Sequence, residues 1–263
     1  MSDDTHGFLS LDVTEVSAGL DHAGSLWRPV RAVGETGSSN ADLLAAAGAG
    51  AAEGTVLVAE AQTAGRGRLG RRWASPPRAG LTFSVLLRPV GVPAALLGWL
   101  PLLAGVAAAA SVRAVAAVDA SLKWPNDLLA GERKLGGILA ERAGTAVVIG
   151  IGINVWQARA DLPTDAAATS LALVAGPGVT GPAADGGAPG LRERLLAGLL
   201  DELGRRYLAW RDQASPGDAD ACGLRQEYAR RSKRRPCHSR ERHGRRRSLT
   251  PARLHAEAQR RGV

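Results

Sequence analysis

The chain contains little cysteine and few aromatic residues. Its 263 residues include two cysteines, Cys222 and Cys237, together with one methionine, two tyrosines and two phenylalanines. Two cysteines cannot form the disulfide framework of a small secreted domain, and no charged, apolar and small-residue signal segment opens the sequence. The composition, 45% hydrophobic and 22% charged, excludes collagen-like and disordered classes for most of the chain. We therefore expect a cytoplasmic protein with one main domain of about 200 residues.

A long stretch without charge, residues 89–112, separates Arg88 from Arg113. Its length raises the possibility of a membrane span. The stretch contains three prolines and many alanines, however, and alanine contributes little to the free energy of transfer into lipid. We therefore predict a buried, alanine-packed helix from Pro101 to about Val118.

The positive charge of the chain is concentrated in its last residues. The net charge is +8, yet residues 225–263 hold 14 Lys and Arg against three Asp and Glu, whereas residues 1–224 hold 19 against 22. This tail has too few apolar residues to build a core, which predicts a disordered or foreign extension.

Two other interpretations of the tail are possible. A basic arm that binds nucleic acid is an alternative. A zinc site at Cys222, Cys237, His238 and His243 is disfavoured because no two cysteines lie close together.

Alternation of apolar and polar residues outlines more strands than helices. Residues 1–26 show weak patterning, with one short helical turn at most. Ser39 and Asp42 have capping-box spacing at the start of a helix, and Gly131 marks the turn of a hairpin. Predicted strands cover residues 27–33, 55–60, 81–87, 122–129, 136–142 and 146–155; predicted helices cover residues 40–48, 101–118 and 191–211, and residues 175–190 form a connector.

The densest chemical signal is the segment from Gln62 to Trp73, which is rich in arginine and glycine. It belongs to a stretch, residues 61–118, with seven arginines and no carboxylate. Glycine lets backbone approach a ligand, and guanidinium groups match carboxylate and phosphate oxygens. The spacing of its glycines fits a dinucleotide-binding fingerprint, but Pro76 and Pro77 prevent a helix from starting there. An anionic small molecule is the expected ligand, with a solvated surface loop as the alternative.

Two further segments carry candidate site residues. In the first, Lys123 and Lys134 are each flanked by strand-like apolar residues, so both could lie beside one ligand or could simply be solvated. In the second, residues 147–155, alternation places isoleucines on one face and Gly150, Gly152 and Asn154 on the other. Glycines in a strand indicate close approach by a ligand or by another backbone segment.

The order of these segments closely resembles the biotin-protein ligase family, over about residues 27–228. The resemblance rests on Gly37-Ser38-Ser39-Asn40, residues 62–68, Lys123-Trp124-Pro125-Asn126-Asp127, residues 134–137 and residues 150–154. It implies an α+β fold in which helices flank a mixed β-sheet, like the catalytic domain of class II aminoacyl-tRNA synthetases. It also implies three regions: a loose segment (1–26), a catalytic domain (27–215), and a lead-in with a basic tail (216–263).

The resemblance implies a chemistry as well. Family members activate biotin with ATP and Mg²⁺ to biotinyl-5′-adenylate, then transfer the biotinyl group to a lysine of a biotin carboxyl-carrier domain. Catalytic roles fall to Arg68, Lys123 and Lys134. The implied biotin-binding residues are Ser38, Ser39, Gln62, Gly65, Arg66, Arg68, Lys134 and Gly137. The implied nucleotide-binding residues are Arg68, Arg71, Trp73, Lys123, Asn126, Asp127 and Asn154, and the metal ligands are left unassigned.

The sequence departs from the family pattern at both ends. About 26 residues precede the first predicted strand, too few for the DNA-binding domain of some members, so we expect a monofunctional enzyme without specific DNA binding. After Arg231 the sequence no longer matches the small C-terminal β-barrel of the family, and a shifted reading frame or a truncation would explain this. A lipoate-protein ligase is an alternative of the same fold, although its Arg-Arg-x-Ser-Gly-Gly-Gly loop is absent.

Overall fold

The computed structural model describes residues 10–22, 24–163, 167–175, 190–213 and 223–232. The basic tail after Ser232, the four residues considered for zinc and most of the predicted connector lie outside these ranges. Within them the helices are α1 (Val13–Leu20), α2 (Ser39–Gly48), α3 (Leu100–Ala116), α4 (Leu171–Val174), α5 (Leu191–Gln213) and α6 (Leu224–Arg231). The strands are β1 (Arg31–Val33), β2 (Val56–Ala59), β3 (Gly80–Leu87), β4 (Ala120–Lys123), β5 (Asp127–Ala130), β6 (Arg133–Ala143) and β7 (Ala146–Asn154).

The strands form one mixed sheet in the order β1-β2-β3-β7-β6-β5-β4. β1 and β2 run parallel, and every other neighbouring pair is antiparallel. The predicted α+β class with a mixed sheet flanked by helices is therefore confirmed. Because β3, β7 and β6 are the long central strands, they provide a broad surface on which both layers of helices and the site residues are arranged.

One face of the sheet is covered by α3 and α5. The isoleucines of β7 at positions 149, 151 and 153 belong to this main core, together with Phe83 and the leucines of α5. Leu191, Leu195, Leu199 and Leu203, which recur at every fourth position, are all buried, as expected of an amphipathic helix that packs by one stripe. The prediction for residues 191–211 is therefore confirmed.

The opposite face carries α2 and a smaller core. Leu43 and Ala47 of α2 pack there against Leu57, Leu86 and Val148 of the sheet. This helix covers only part of the face. The remainder is lined by the glycines of β6 and β7 and contains the candidate site.

The uncharged stretch forms a core helix. Among the described residues, the helical stretch Ala94–Ala116 is long and apolar enough by length and composition to cross a membrane, and 67% of its most apolar window is buried inside the protein. Ala104, Ala107, Ala108 and Ala109 of α3 are completely buried. Small side chains let α3 approach the sheet and α5 closely, so the predicted alanine-packed helix is confirmed.

Three predicted details differ from the structure. The expectation of at most one helical turn in residues 1–26 is wrong: α1 has eight residues, and its Asp12 cap accepts hydrogen bonds from two backbone N–H groups. These bonds lower the pKa of the Asp12 carboxyl. The cap of α2 is Ser38 and not Ser39, because Asp42 instead accepts from the Thr36 hydroxyl.

The predicted strand 122–129 is two strands. The chain leaves β4 after Lys123 and turns at residues 124–126 before β5 begins at Asp127. A second turn at Gly131, with positive φ, then joins β5 to β6. The predicted turn at Gly131 is correct, but a first turn precedes it, because Pro125 cannot donate a ladder hydrogen bond and interrupts the strand.

Candidate active site

The floor of the candidate site is formed by glycines at the centre of the sheet. Gly152 of β7 pairs with Gly137 of β6, and Gly150 pairs with Leu139 two residues further along. Residues paired directly across strands share a face. Gly137, Gly150 and Gly152 therefore lie on the face opposite the isoleucines, as the alternation in the sequence predicts.

Polar side chains at the start of α2 border this floor on one side. Gln62 Oε1 accepts a hydrogen bond from the backbone N–H of Ser39 at 2.8 Å and lies 3.1 Å from the Ser39 hydroxyl oxygen. The Ser39 hydroxyl lies 2.7 Å from that of Ser84 on β3, and the Ser84 hydroxyl donates to Asn40 Oδ1 at 2.6 Å. Ser39, Asn40 and Ser84 are buried. The hydroxyl of Ser38, in contrast, accepts from the Ala41 N–H at the helix cap.

The arginine–glycine segment forms a small hairpin beside the floor. The N–H of Trp73 donates to Gly65 O at 2.9 Å, and that of Gly67 donates to Arg71 O at 2.7 Å. The tip residue, Leu69, is 81% exposed. A side chain at Gly65 would collide with this closure, because its Cβ would lie 2.4 Å from the carbonyl oxygen of Trp73.

The indole of Trp73 lies directly on the glycine floor. A Cβ atom at position 152 would lie 2.4 Å from Trp73 Cζ2, far inside contact distance. The indole Nε1 is 3.4 Å from Thr82 Oγ1 on β3, and Thr82 pairs with Gly152. At Gly152 the group that comes close to the strand is therefore an aromatic side chain.

The arginines of the hairpin have different surroundings. Arg66 Nη2 lies 3.2 Å from Glu141 Oε1, and Arg72 donates to the carbonyl of Thr63. Arg71 is exposed, and Arg68 is partly buried. Within the described residues, no ion pair joins Arg68 to a carboxylate. Arg66 therefore borders the floor, whereas Arg68 and Arg71 lie near the tip of the hairpin.

A second cationic side chain lies over the other end of the floor. Lys134 Nζ is 2.6 Å from Asp127 Oδ1, and a Cβ atom at Gly137 would be 3.6 Å from Lys134 Nζ. The backbone of Lys134 is also held, since its N–H donates to Ala167 O and its carbonyl accepts from the Thr169 N–H. This lysine thus has a fixed position beside the glycines.

Lys123 lies further from the floor, in a row of residues that pair side by side across neighbouring strands of the sheet. It pairs with Asp127 on β5, which pairs with Gly137, which pairs with Gly152. The row keeps Lys123 on the face of the site, but three strand spacings, about 14 Å, separate its backbone from that of Gly152. Its side chain is exposed, so the structure places Lys134 and not Lys123 at the floor itself.

The turn at residues 124–126, which joins β4 to β5, is hydrogen-bonded to β6. Asn126 Nδ2 donates to Ile138 O at 3.0 Å, and the Ile138 N–H donates to Asn126 O at 2.9 Å. The peptide bond between Trp124 and Pro125 is cis. The edge of the Trp124 ring faces Tyr228 of α6, with 6.5 Å between the centroids. Burial raises the pKa of Tyr228 to about 12, and the charge of Asp127 acts in the same direction.

Asn154 ends β7 in a buried polar cluster. Its Nδ2 donates to Thr169 O at 2.9 Å, and its Oδ1 lies 3.4 Å from Gln157 Nε2. Gln157 also donates to the Ser75 hydroxyl at 2.8 Å. In the described part of the chain, Gln157 Oε1 and Thr169 Oγ1 are buried without a hydrogen-bond partner. The end of the hairpin, the end of β7 and residues 167–170 therefore meet at one place.

Several residues of the site were not predicted from the sequence, among them Ser84, Glu141, Gln157 and Thr169. Ser84 interrupts an apolar strand, which is a signal that could have been noticed. Glu141 lies at the end of a strand rich in small and apolar residues, where a carboxylate usually indicates only a solvated edge. Gln157 and Thr169 follow β7 in irregular segments, for which periodicity gives no information.

The described residues contain no cluster of three or more His, Cys, Asp or Glu side chains that could hold a metal. Mg²⁺ that accompanies a nucleotide is usually bound by one or two carboxylates together with phosphate oxygens. Asp127, whose side chain is 21% exposed, is the carboxylate on the row beside Lys134. Asp127 is therefore the carboxylate of this row that could hold such an ion.

Comparisons with known proteins identify relatives of the chain. The sequence model of the biotin/lipoate A/B protein ligase family matches residues 43–154. A biotin–[acetyl-CoA-carboxylase] ligase from Mycobacterium tuberculosis is 47% identical over 206 residues, which cover 77% of this chain and 73% of that protein.

Solved structures with the same fold include a biotin protein ligase from Aquifex aeolicus in complex with biotin and ATP. It has 28% identity and a TM-score of 0.62, over 77% of this chain and 78% of that one. A variant of the same enzyme in complex with biotin has 30% identity and a TM-score of 0.57, over 70% and 72%. From the extent of the match to the mycobacterial ligase, the chain belongs to the biotin-protein ligase family.

Proposed function

We propose that this protein activates biotin with ATP to biotinyl-5′-adenylate and then transfers the biotinyl group to a lysine of a biotin carboxyl-carrier domain. The observation that carries the proposal is the glycine floor of β6 and β7, with amide and hydroxyl groups at one end and an ion-paired lysine at the other. This arrangement suits a ligand with an uncharged polar head and an anionic tail. The 47% identical relative is named a biotin–[acetyl-CoA-carboxylase] ligase, which supports the proposal.

The uncharged polar end of the floor suits the ureido ring of biotin. The buried Ser39 and the partly buried Gln62 present a hydroxyl and an amide, and an unpaired polar group in such a setting costs about 1–3 kcal/mol. A ligand that satisfies both groups is therefore favoured over one that lacks the matching donors and acceptors.

The anionic end of the floor suits the reacting groups. A carboxylate oxygen of biotin attacks the α-phosphorus of ATP, a P–O bond to pyrophosphate breaks, and a mixed anhydride forms. Because the step brings two anions together, preorganised cations provide most of the stabilisation. In our proposal Lys134 lies beside the carboxylate and the α-phosphate, and Arg66 and Arg68 approach from the hairpin. Lys123, further along the row, faces the departing pyrophosphate.

The nucleotide would lie towards the end of β7. Asn126 and Asp127 line the nucleotide site beyond Lys134. Asn154 and Trp73 border the adenosine, and Arg71 adds positive charge at the hairpin. Bound Mg²⁺ would supply charge neutralisation for the ATP phosphates, and Asp127 is the residue that would hold it. Gly65 and the other hairpin glycines let the backbone close over the anhydride and exclude water.

In the second step the ε-amine of the acceptor lysine attacks the acyl carbon, the bond to the phosphate oxygen breaks, and AMP leaves. The amine loses its proton as the amide forms. No covalent intermediate on the protein is needed.

The test is transfer of labelled biotin to a purified biotin carboxyl-carrier domain in the presence of Mg-ATP. We expect labelling of a single carrier lysine, abolished when that lysine is replaced by methionine. Labelled lipoate in place of biotin tests the related ligase activity, and a version without residues 232–263 tests whether the tail contributes. Salt-dependent DNA binding without ATP-dependent labelling would instead favour the nucleic-acid alternative.

A further inference from the structure

We propose that Glu141 is a positioning residue that holds Arg66 in the ligand-free hairpin and releases it to the anionic group of the bound substrate. The first half of this proposal concerns the protein alone. The second half, the exchange of partners, rests on the proposed function, because it requires an anionic ligand on the glycine floor.

Glu141 lies on the site face of β6. It follows Gly137 and Leu139 at alternating positions and pairs with Val148. Its two carboxylate oxygens lie 3.2 and 3.3 Å from Arg66 Nη2. One carboxylate therefore connects the central sheet to the hairpin that closes the site.

The same carboxylate ends a continuous chain of hydrogen bonds. Asn40 Nδ2 donates to Glu141 Oε2 at 2.8 Å, and Asn40 Oδ1 accepts from Ser84. The Ser39 hydroxyl donates to that of Ser84 at 2.7 Å, and the Ser39 N–H donates to Gln62 Oε1 at 2.8 Å. The chain therefore joins the proposed ureido end of the site to the arginine of the hairpin.

Close packing of Asn40 against the sheet makes this chain possible. A Cβ atom at Gly150 would lie 2.3 Å from Asn40 Oδ1. Asn40 is 4% exposed, and its Nδ2 also donates to Leu139 O at 3.2 Å. The amide is thus fixed at both ends, and it holds the Glu141 carboxylate in the position that Arg66 contacts.

The exposure of the ion pair is suited to exchange. The side chains of Arg66 and Glu141 are 47% and 23% exposed, and exposed pairs of this kind are weak because water screens them. The pair between Arg192 and Glu60, in contrast, is 5% and 7% exposed, so separating it would leave buried charges. A ligand carboxylate or phosphate that accepts paired hydrogen bonds can therefore compete for Arg66.

The test uses Leu69, at the exposed tip of the hairpin, as a chymotrypsin site. Glu141→Gln keeps an acceptor for Asn40 but removes the charge that attracts Arg66. In the ligand-free protein we expect cleavage after Leu69 to become about two- to five-fold faster, since an exposed ion pair is worth a factor of this size. Arg66→Gln should give the same increase, and the double variant no more than either single one. Asp119→Asn, which breaks the exposed Arg113–Asp119 pair elsewhere, should leave the rate unchanged.

The exchange is tested with the sulfamoyl analogue of biotinyl-adenylate. If Arg66 moves to the ligand, the wild-type protein and Glu141→Gln become equally resistant once saturated with the analogue. A cleavage difference that persists in the saturated proteins would overturn the exchange, and equal rates in the ligand-free proteins would overturn the ion pair. Failure of the wild-type chain to bind the analogue would reject the proposed function and the exchange together, while the ligand-free comparison still decides the ion pair.

Discussion

The ammonium group of Lys134 lies 2.6 Å from a carboxylate oxygen of Asp127 and directly beside Gly137. The pair holds a positive charge at the glycine floor before any substrate is present. Such preorganisation means that little rearrangement is needed when two anions are brought together. The position of Lys134 therefore leads to a specific kinetic expectation.

Lys134→Ala should depress adenylate formation far more than transfer from preformed adenylate. Loss of one preorganised donor typically lowers a rate by about 100- to 1000-fold, and the ion-paired lysine is proposed to act in the first step. The two half-reactions are measured separately, with labelled ATP and with synthetic biotinyl-adenylate. Equal losses in both would remove the proposed role.

Arg68→Ala should allow the adenylate to escape. Among the described residues, Arg68 forms no ion pair with a carboxylate, so its guanidinium is available for the α-phosphate. Free adenylate would acylate lysines of added bystander proteins, which can be scored by blotting for biotin. Tight retention of labelled adenylate by this variant would contradict the prediction.

Gly152→Ala should displace Trp73 and raise the KM for ATP, because this indole is proposed to border the adenosine. The new methyl group would lie 2.4 Å from Cζ2 of the indole, so the ring or the strand has to move, at a typical cost of about 1–3 kcal/mol. Steady-state kinetics and indole fluorescence report the two effects. Gly98→Ala is the control, because a Cβ atom at Gly98 meets nothing within 4 Å; similar changes in both variants would argue against a specific contact.

Arg192→Met should destabilise the domain strongly. Its guanidinium lies 2.6 Å from Glu60 Oε2, and Glu60 also accepts from the Leu11 N–H. Removing one partner of a buried pair costs about 3–5 kcal/mol, because the other charge stays buried. Denaturant unfolding measures the loss, and Arg205→Met, at a site 62% exposed, should cost less than about 1 kcal/mol. A small effect at Arg192 would show that Glu60 finds another partner.

Stability should fall in alkaline solution because of Tyr228. Burial raises the pKa of this phenol to about 12, whereas in the unfolded chain it ionises near pH 10. The contribution of the neutral, buried phenol to the free energy of unfolding is therefore complete below about pH 10, and it is lost as the pH approaches 12. Tyr228→Phe, compared with the wild-type chain by unfolding at pH 9 and 11, should show a smaller loss. An identical loss in both would assign the effect to other groups, such as Tyr207, whose pKa is also raised by burial.

Periodicity in the sequence was sufficient for the long elements. The leucines of α5 form one buried stripe along the helix, and the alternating isoleucines of β7 form the buried face of the strand. The pattern in each segment therefore predicts both the type of element and the side that faces the core. The pattern was less informative in short segments: α1 is only eight residues long, and β4 and β5 are separated by three residues that read as part of one strand. Burial of Leu11 and Val16 in the main core stabilises α1, and no local pattern signals such a tertiary contact.

The candidate site was predictable where its residues share a segment and hidden where they meet across the fold. The hairpin, residues 123–127 and the glycine strand stand out in the sequence because each concentrates unusual residues. Glu141 and Ser84 were missed because their importance comes from contacts with Arg66 and Asn40, which are 75 and 44 positions away. Such pairings depend on the sheet register, which the sequence does not specify.

A crystal structure of the full chain with biotinyl-5′-adenylate would test the central claim most directly. The account predicts the ureido group of biotin bonded to Ser39 and Gln62, and the phosphate within hydrogen-bond distance of Lys134 Nζ. A ligand bound away from this floor, or bound in the reverse direction with its phosphate beside Ser39, would contradict it.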